Sequence, residues 1–144
     1  MIRHAGLIAR RTGGVWRGAL IEGPSGVGKS DLALRALDHG FRLVADDRVE
    51  VWTDAARLFG RAPDPLLGLI EARGVGLVPV APVAFCEIVL VVRPGTPERM
   101  PDPATETILG VRVPLLVMDP FESSAPAKLG RAMEAFDAAH KRRI

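Results

Sequence analysis

Residues 23–30 form a glycine-rich segment whose residue types and spacing are suited to binding phosphate. The segment reads Gly23, Pro24, Ser25, Gly26, Val27, Gly28, Lys29, Ser30, a complete G-x-x-x-x-G-K-S pattern. Glycines let the backbone curl so that successive N–H groups point at one anion. Lys29 supplies a compact charge for the β- and γ-phosphates, and the Ser30 hydroxyl is placed to bind Mg²⁺. The segment follows an apolar run and opens into a helix-like stretch, so we predict a nucleotide site.

Two adjacent carboxylates, Asp46 and Asp47, follow the short apolar run 41–45, which begins 12 residues after Lys29. We expect this run to be a strand beside the one that feeds the glycine-rich segment, which would bring the carboxylates to the phosphates. Adjacent side chains of an extended chain point to opposite sides. One carboxylate would then hold Mg²⁺ and the other would accept a hydroxyl proton. A solvated acidic turn is the alternative interpretation.

Two further candidate groups are ambiguous from the residues alone. Glu71 and Arg73 precede Gly74-Val-Gly76, where glycines would allow a close backbone approach to a ligand. A surface Glu–Arg pair in a flexible loop explains the same pattern equally well. His4 is either an exposed N-terminal histidine or a proton carrier or phosphate contact.

Hydrophobic patterning predicts several strands and two helices, an α/β or α+β domain with a mixed sheet. Gly13-Gly14 predicts a hairpin between the apolar runs 2–11 and 15–22. The near-continuous apolar run 83–92 predicts a strand buried on both faces. The other expected strands are 41–45, 49–52 paired with 57–59, and a strand or hairpin over 107–118; the expected helices are 29–38 and 125–142, with Ser124 as N-cap of the second. Residues 60–82 are expected to be irregular and 93–107 to be an exposed loop.

Composition places the chain among ordinary globular proteins. Its 144 residues fit one domain, 1–144, with 48% hydrophobic and 25% charged residues and a net charge of +2. The basic pairs and triplets lack interleaved aromatic residues, which argues against nucleic-acid binding. A single cysteine, Cys86, within an apolar run indicates a buried thiol and a reducing compartment. We find no signal peptide and no membrane-length apolar stretch, so the expected location is the cytoplasm and no membrane partner is expected.

Three segments in order resemble the catalytic domain of the bacterial HPr kinase/phosphorylase family. The first is Gly-Pro-Ser-Gly-Val-Gly-Lys-Ser-Asp-Leu-Ala-Leu at 23–34, and the second is Gly-Phe-Arg-Leu-Val-Ala-Asp-Asp-Arg-Val at 40–49. The third, Glu-Ala-Arg-Gly-Val-Gly at 71–76, is similar to the family signature Glu-x-Arg-Gly-x-Gly. The resemblance covers residues 4 to about 92, and it is to the short, alphaproteobacterial type that consists of the catalytic domain alone.

The resemblance implies a kinase that phosphorylates a serine of HPr or a related phosphocarrier protein, with Mg²⁺ and with ATP or pyrophosphate as donor. It also implies a reverse phosphorolysis of the phosphoserine. Asp46 matches the general base, Asp47 and Ser30 match the metal site, and His4 matches a histidine near the transferred phosphate. Glu71 and Arg73 match the signature linked to the metal site and the reverse reaction. The implied fold is a P-loop domain related to phosphoenolpyruvate carboxykinase, with an N-terminal hairpin and a C-terminal helix, assembled as a hexamer.

The C-terminal part departs from the family pattern. Where the family has an Arg-Pro-Gly-Arg-Asn-like basic loop, this chain has Asp119-Pro-Phe-Glu-Ser-Ser-Ala-Pro-Ala-Lys-Leu129. Lys128, Arg131 and, more weakly, Arg93 are candidates for the missing positive charge.

Two other functions remain open from the sequence. One is a small-molecule kinase on the same loop, which would need an arginine-bearing lid. The other is a nucleotide- or phosphate-sensing module without catalysis. The Asp46→Ala variant separates them, because it abolishes transfer only in a kinase and leaves nucleotide binding intact in all three cases.

Overall fold

The computed structural model describes the backbone of residues 1–142, built from eleven strands and two α-helices, and the side chains of residues 1–136. The strands are β1 (Ile2–Arg3), β2 (Ala5–Thr12), β3 (Val15–Glu22), β4 (Arg42–Ala45), β5 (Val49–Asp54), β6 (Arg57–Arg61), β7 (Leu69–Ala72), β8 (Gly76–Pro79), β9 (Cys86–Pro94), β10 (Ala104–Ile108) and β11 (Val111–Met118). The helices are α1 (Lys29–Ala36) and α2 (Ala125–Arg142), with short 3-10 helices at Leu37–His39 and Asp64–Leu66.

Nine of these strands form one mixed sheet with the order β1-β5-β6-β9-β3-β2-β4, to which the β10–β11 hairpin is added through β11. Strand β9 lies at the centre and runs parallel to both β3 and β11. The remaining pairs in this sheet are antiparallel. Strands β7 and β8 form a separate two-stranded sheet. The predicted α/β class, mixed sheet, N-terminal hairpin and C-terminal helix are confirmed.

The N-terminal hairpin is set by its turn. Gly13 and Gly14 have φ angles of 58° and 80°, the left-handed conformation that a two-residue hairpin turn requires at both positions. The register that follows pairs Thr12 with Val15 at one end and Ala5 with Glu22 at the other. Strand β3 therefore ends at a defined point, directly before the glycine-rich segment.

Apolar side chains fill both faces of the sheet. Helices α1 and α2 contact each other and bury Leu32, Leu129 and Met133 against one face. The other face buries residues such as Leu7 and Val91 together with apolar residues of β5, β6, β10 and β11. Strand β9 contributes to both cores, which explains its near-continuous apolar sequence.

Three expectations about the elements were wrong. Strand β4 pairs with β2, so β2 separates it from the strand that feeds the loop. Residues 60–82 contain the β7–β8 hairpin, whose short strands carry too little alternation to be recognised among the glycines and prolines. The expected loop 93–107 ends at Ala104, where β10 begins. Ser124 directly precedes α2 and its carbonyl accepts the Lys128 N–H at 2.9 Å, so it lies at the expected N-cap position, while its hydroxyl donates to Glu122 Oε2 at 3.3 Å.

Candidate active site

The glycine-rich segment is a tight loop between the end of β3 and the start of α1. Its glycines at 23, 26 and 28 have φ angles of 153°, 85° and 94°, values that residues with a Cβ atom rarely adopt. Gly28 directly precedes α1, and its carbonyl accepts the Leu32 N–H at 2.9 Å, the first bond of the helix. The Lys29 ammonium folds back and donates to the Gly23 carbonyl. The segment thus has the curled backbone that an anion cradle needs.

Asp46 lies at the same edge of the sheet as this loop. Strands β3 and β4 are both antiparallel to β2, so they run in the same direction and their carboxyl ends coincide. The Ser30 hydroxyl donates to Asp46 Oδ1 at 2.8 Å, which joins the loop helix to the carboxylate. The other carboxylate oxygen, Oδ2, accepts the backbone N–H of Glu71 at 2.9 Å. Asp46 is only 7% exposed, so its carboxylate is held by both neighbours in a largely buried position.

Asp47 is exposed, whereas the adjacent Asp46 is largely buried. The φ of 70° at Asp47 turns the chain sharply after β4. Its side chain is 70% exposed, with an oxygen 4.0 Å from Arg48 Nε. Its carbonyl accepts the Ala5 N–H at 3.1 Å. Because Ala5 pairs with Glu22, this bond fixes the adjacent His4 at the loop edge of the sheet.

Glu71 and Arg73 lie in the β7–β8 hairpin, which contacts α1 and β4. Glu71 reaches the site through its backbone N–H, whereas its side chain and that of Arg73 are exposed. Among the side chains described, those of Glu71, Arg73 and His4 take part in none of the hydrogen bonds or ion pairs. The structure therefore brings together Ser30, Asp46 and the Glu71 backbone, with Asp47 and His4 beside them.

A charge network next to the loop was not foreseen from the sequence. Arg3 pairs with Glu22, the last residue of β3, and with Glu106 at 3.1 Å. Arg93, at the end of β9, pairs with Glu106 at 2.9 Å. The hydrogen bond that Arg3 donates to Glu22, with the charges of the Glu22 and Glu106 carboxylates, raises the pKa of the Arg3 guanidinium further above its usual range despite partial burial. These pairs tie β1, β3, β9 and β10 together behind the loop, and they already engage Arg93, one candidate for free positive charge.

The other two candidate cations lie on α2 and are also paired. Lys128 donates to Glu122, which lowers the pKa of that carboxyl below its usual range. Arg131 lies 3.3 Å from Glu134. In the part of the chain that the structure describes, neither side chain forms a hydrogen bond or ion pair with residues of the loop edge.

The turn 119–122 packs directly on the glycine-rich loop, a contact that no sequence signal indicated. A Cβ built on Gly28 would lie 2.9 Å from Phe121 Cζ and 3.3 Å from Pro120 Cγ. Arg35 of α1 holds the turn by donating to the carbonyls of Pro120 and of Glu122, the latter at 3.1 Å. The segment in which the sequence departs from the expected basic loop thus forms a proline-aromatic turn.

A sequence model described as the HPr serine kinase C-terminal domain matches residues 13–89, more than half of the chain. The chain belongs to this family. The matched region contains the glycine-rich loop, Asp46 and Glu71, and so covers the hydrogen-bonded constellation described above.

Curated relatives carry the same assignment. The HPr kinase/phosphorylase of Limosilactobacillus reuteri is 40% identical over 129 residues, which covers 79% of this chain and 38% of the relative. That of Streptococcus thermophilus is 52% identical over 64 residues, covering 44% of this chain and 21% of the relative. The chain therefore spans about two fifths, or less, of the length of these curated relatives.

A solved structure extends the likeness to the complete fold. The Hpr(Ser) kinase/phosphatase from Coxiella burnetii superposes with a TM-score of 0.76 at 28% identity, covering 98% of this chain and 97% of that one. Separately, no helix within the described part of the chain has the length and apolarity needed to cross a bilayer.

Proposed function

We propose that this chain is a cytoplasmic serine protein kinase that transfers a phosphoryl group from ATP to an HPr-type phosphocarrier protein. The observation that carries the proposal is the Ser30–Asp46 hydrogen bond of 2.8 Å. It couples a glycine-rich loop to a largely buried carboxylate in a chain of the HPr serine kinase family. A loop that only sensed phosphate would not need a carboxylate fixed beside it.

The loop is proposed to hold the donor phosphates. Backbone N–H groups of residues 23–30 and the amino end of α1 face an anion favourably, and Lys29 lies across the loop. Release of Lys29 from the Gly23 carbonyl onto the β- and γ-phosphates exchanges a neutral partner for a charged one. Charge-assisted bonds are the stronger kind, so donor binding favours this exchange.

The residues at the loop edge suit Mg²⁺. Ser30, Asp47 and Glu71 offer hydroxyl and carboxylate oxygens, the donor type that Mg²⁺ prefers. Within residues 1–136 no three acidic, histidine or cysteine side chains converge into a complete metal cage. This fits an ion that keeps waters and takes its other ligands from substrate phosphates. The bound ion would supply charge neutralisation on those phosphates.

Asp46 is proposed to act as the general base. As the serine oxygen of the carrier attacks the γ-phosphorus, the bond to the β–γ bridging oxygen breaks and the hydroxyl proton passes to the Asp46 carboxylate. The products are phosphoserine and ADP. Each carboxylate oxygen has two lone pairs, so Asp46 can accept the substrate hydroxyl while it keeps Ser30 and Glu71. The Glu71 N–H and the Ser30 hydroxyl fix the direction in which those lone pairs point.

Pyrophosphate as an alternative donor and the reverse phosphorolysis belong to the same proposal. In reverse, an oxygen of inorganic phosphate attacks the phosphorus of the phosphoserine and the bond to the serine oxygen breaks. The proton lost by the attacking phosphate passes by way of Asp46 to the serine oxygen, and the products are serine and pyrophosphate. His4, beside the loop edge, and Arg73, on the β7–β8 hairpin, are the proposed contacts for the additional phosphate charge. A homo-oligomer, a hexamer by resemblance, is the proposed assembly.

The test is a transfer assay with the 144-residue chain, Mg²⁺ and a purified HPr-type carrier, read by intact mass. ATP and pyrophosphate are supplied separately, and inorganic phosphate is added afterwards. We expect one phosphate per carrier with ATP and its loss on phosphate addition. Tight nucleotide binding without transfer to any HPr-type carrier would instead favour a small-molecule kinase or a sensor.

A further inference from the structure

Phe121 is an aromatic side chain exposed directly beside the proposed phosphate loop. It is 67% exposed, more than any other aromatic residue among the side chains described. Its ring edge borders Gly28, since a Cβ at Gly28 would meet Phe121 Cζ at 2.9 Å and Cε1 at 3.0 Å. A large apolar ring left in water beside a polar anion cradle gains free energy by covering its open face.

The backbone of the turn that carries Phe121 is held by several hydrogen bonds. The Asp119 carboxylate accepts the Phe121 N–H at 2.9 Å. The Arg35 guanidinium donates to the carbonyls on either side of Phe121, those of Pro120 and Glu122. Arg35 is itself paired with Asp31 at 2.9 Å, in the first turn of α1. The turn and the loop helix thus form one unit, so a ligand that stacks on the ring needs to immobilise little.

We propose that Phe121 is a stacking surface for the nucleobase of the donor, which makes a nucleoside triphosphate the preferred donor of this chain. The inference rests on the proposed function of the loop. Phe121 can distinguish the two donors proposed above by stacking, because ATP has a flat aromatic base and pyrophosphate has none. The ring borders the residue whose backbone would hold the phosphates, and a base attached through a ribose lies next to them. Stacking on an aromatic ring tolerates any base, since every base has a π-face.

The test measures binding of a non-hydrolysable ATP analogue and of inorganic tripolyphosphate to the full chain, with Mg²⁺, by calorimetry. Alanine substitution at a base-stacking aromatic weakens binding by about 5- to 150-fold. We expect Phe121→Ala to weaken binding of the ATP analogue by a factor in this range and to leave the affinity for tripolyphosphate unchanged. Phe121→Trp keeps a π-face and should bind the analogue like the wild type, whereas Phe121→Leu should behave like Phe121→Ala. Phe85→Ala is the matched control, because Phe85 is 54% exposed and precedes β9 at the opposite edge of the sheet.

The other outcomes overturn the inference in distinguishable ways. If Phe121→Ala weakened the binding of both ligands equally, the ring would only support the shape of the loop. If the affinity for both ligands were unchanged and the KM for the carrier protein rose, the ring would belong to the interface with the carrier. A wild-type chain that binds neither ligand would overturn the proposed function itself, before any variant is measured.

Discussion

Replacement of Asp46 by asparagine tests the proposed base with the least structural change, because it removes the charge and keeps the shape. The carboxylate accepts the Ser30 hydroxyl at 2.8 Å and the Glu71 N–H at 2.9 Å. The amide can retain both contacts, with its oxygen facing the Glu71 N–H and its NH₂ facing the Ser30 oxygen. A hydrogen bond to a charged group contributes about 1.5–3 kcal/mol and a neutral one about 0.5–1.5 kcal/mol. Two weakened bonds therefore lower the free energy of unfolding by about 2 kcal/mol.

This loss leaves the protein folded and its effect on catalysis visible. Domains are stable by about 5–15 kcal/mol, so Asp46→Asn keeps well over nine tenths of the chain native. General-base catalysis contributes about 10²–10⁴-fold, so we expect kcat for carrier phosphorylation to fall by at least about 100-fold. Nucleotide affinity should be unchanged. The assays are urea unfolding for stability, calorimetry for nucleotide binding and intact-mass kinetics for transfer.

Asp47→Asn is the matched control for the effect of the charge change on stability; its transfer rate is compared separately, because Asp47 is a proposed metal ligand. Asp47 is 70% exposed and its nearest cation, Arg48, is 4.0 Å away, so its stability should change by less than about 0.5 kcal/mol. If kcat of Asp46→Asn for carrier phosphorylation were within a few-fold of the wild-type value, the assignment of Asp46 as the general base would be wrong. Loss of transfer in Asp47→Asn but not in Asp46→Asn would move the role to Asp47.

Two substitutions and one labelling experiment test other parts of the account. Gly28→Ala should lose nucleotide and tripolyphosphate binding alike, by calorimetry, because φ is 94° and the new Cβ would lie 2.9 Å from Phe121 Cζ; wild-type affinity would contradict this. Ser30→Ala removes a donor to Asp46 and a proposed metal ligand, so the Mg²⁺ concentration for half-maximal transfer should rise at least several-fold; an unchanged requirement would exclude Ser30 from the metal site. Cys86 should resist iodoacetamide until the chain is denatured, by intact mass, because burial, with Glu87 adding to it, raises the pKa of its thiol; rapid native labelling would show an open core.

The sequence predicted that the loop and Asp46 lie together, but it did not predict the strand order that brings them together. Loop, acidic pair and signature segment are local motifs, and their spacing correctly placed Asp46 at the loop edge. The predicted strand neighbours were wrong, because β2 lies between β3 and β4. Antiparallel pairing to a shared neighbour brings two carboxyl ends together as well as direct parallel pairing does, and local patterning does not distinguish the two arrangements.

Contacts between distant segments were beyond sequence reasoning. Phe121 packs on Gly28, and Arg35 donates to the carbonyl that follows Phe121, in each case across more than 80 positions of sequence. None of these residues carries a local signal of these contacts. The ion pairs of the candidate cations could not be predicted from the sequence for a related reason. Lys128 and Arg93 each found a carboxylate partner, and which charges pair depends on the packed structure rather than on residue type.

The most direct measurement of the central claim is phosphosite mapping by tandem mass spectrometry. A purified HPr-type carrier is incubated with Mg²⁺, ATP and either the wild-type chain or Asp46→Ala. We predict one phosphoserine in the carrier with the wild-type chain, none with Asp46→Ala, and equal nucleotide affinity in both proteins. Phosphoserine formed at comparable rates by Asp46→Ala, or nucleotide bound tightly by the wild-type chain with no carrier phosphorylated, would contradict the account.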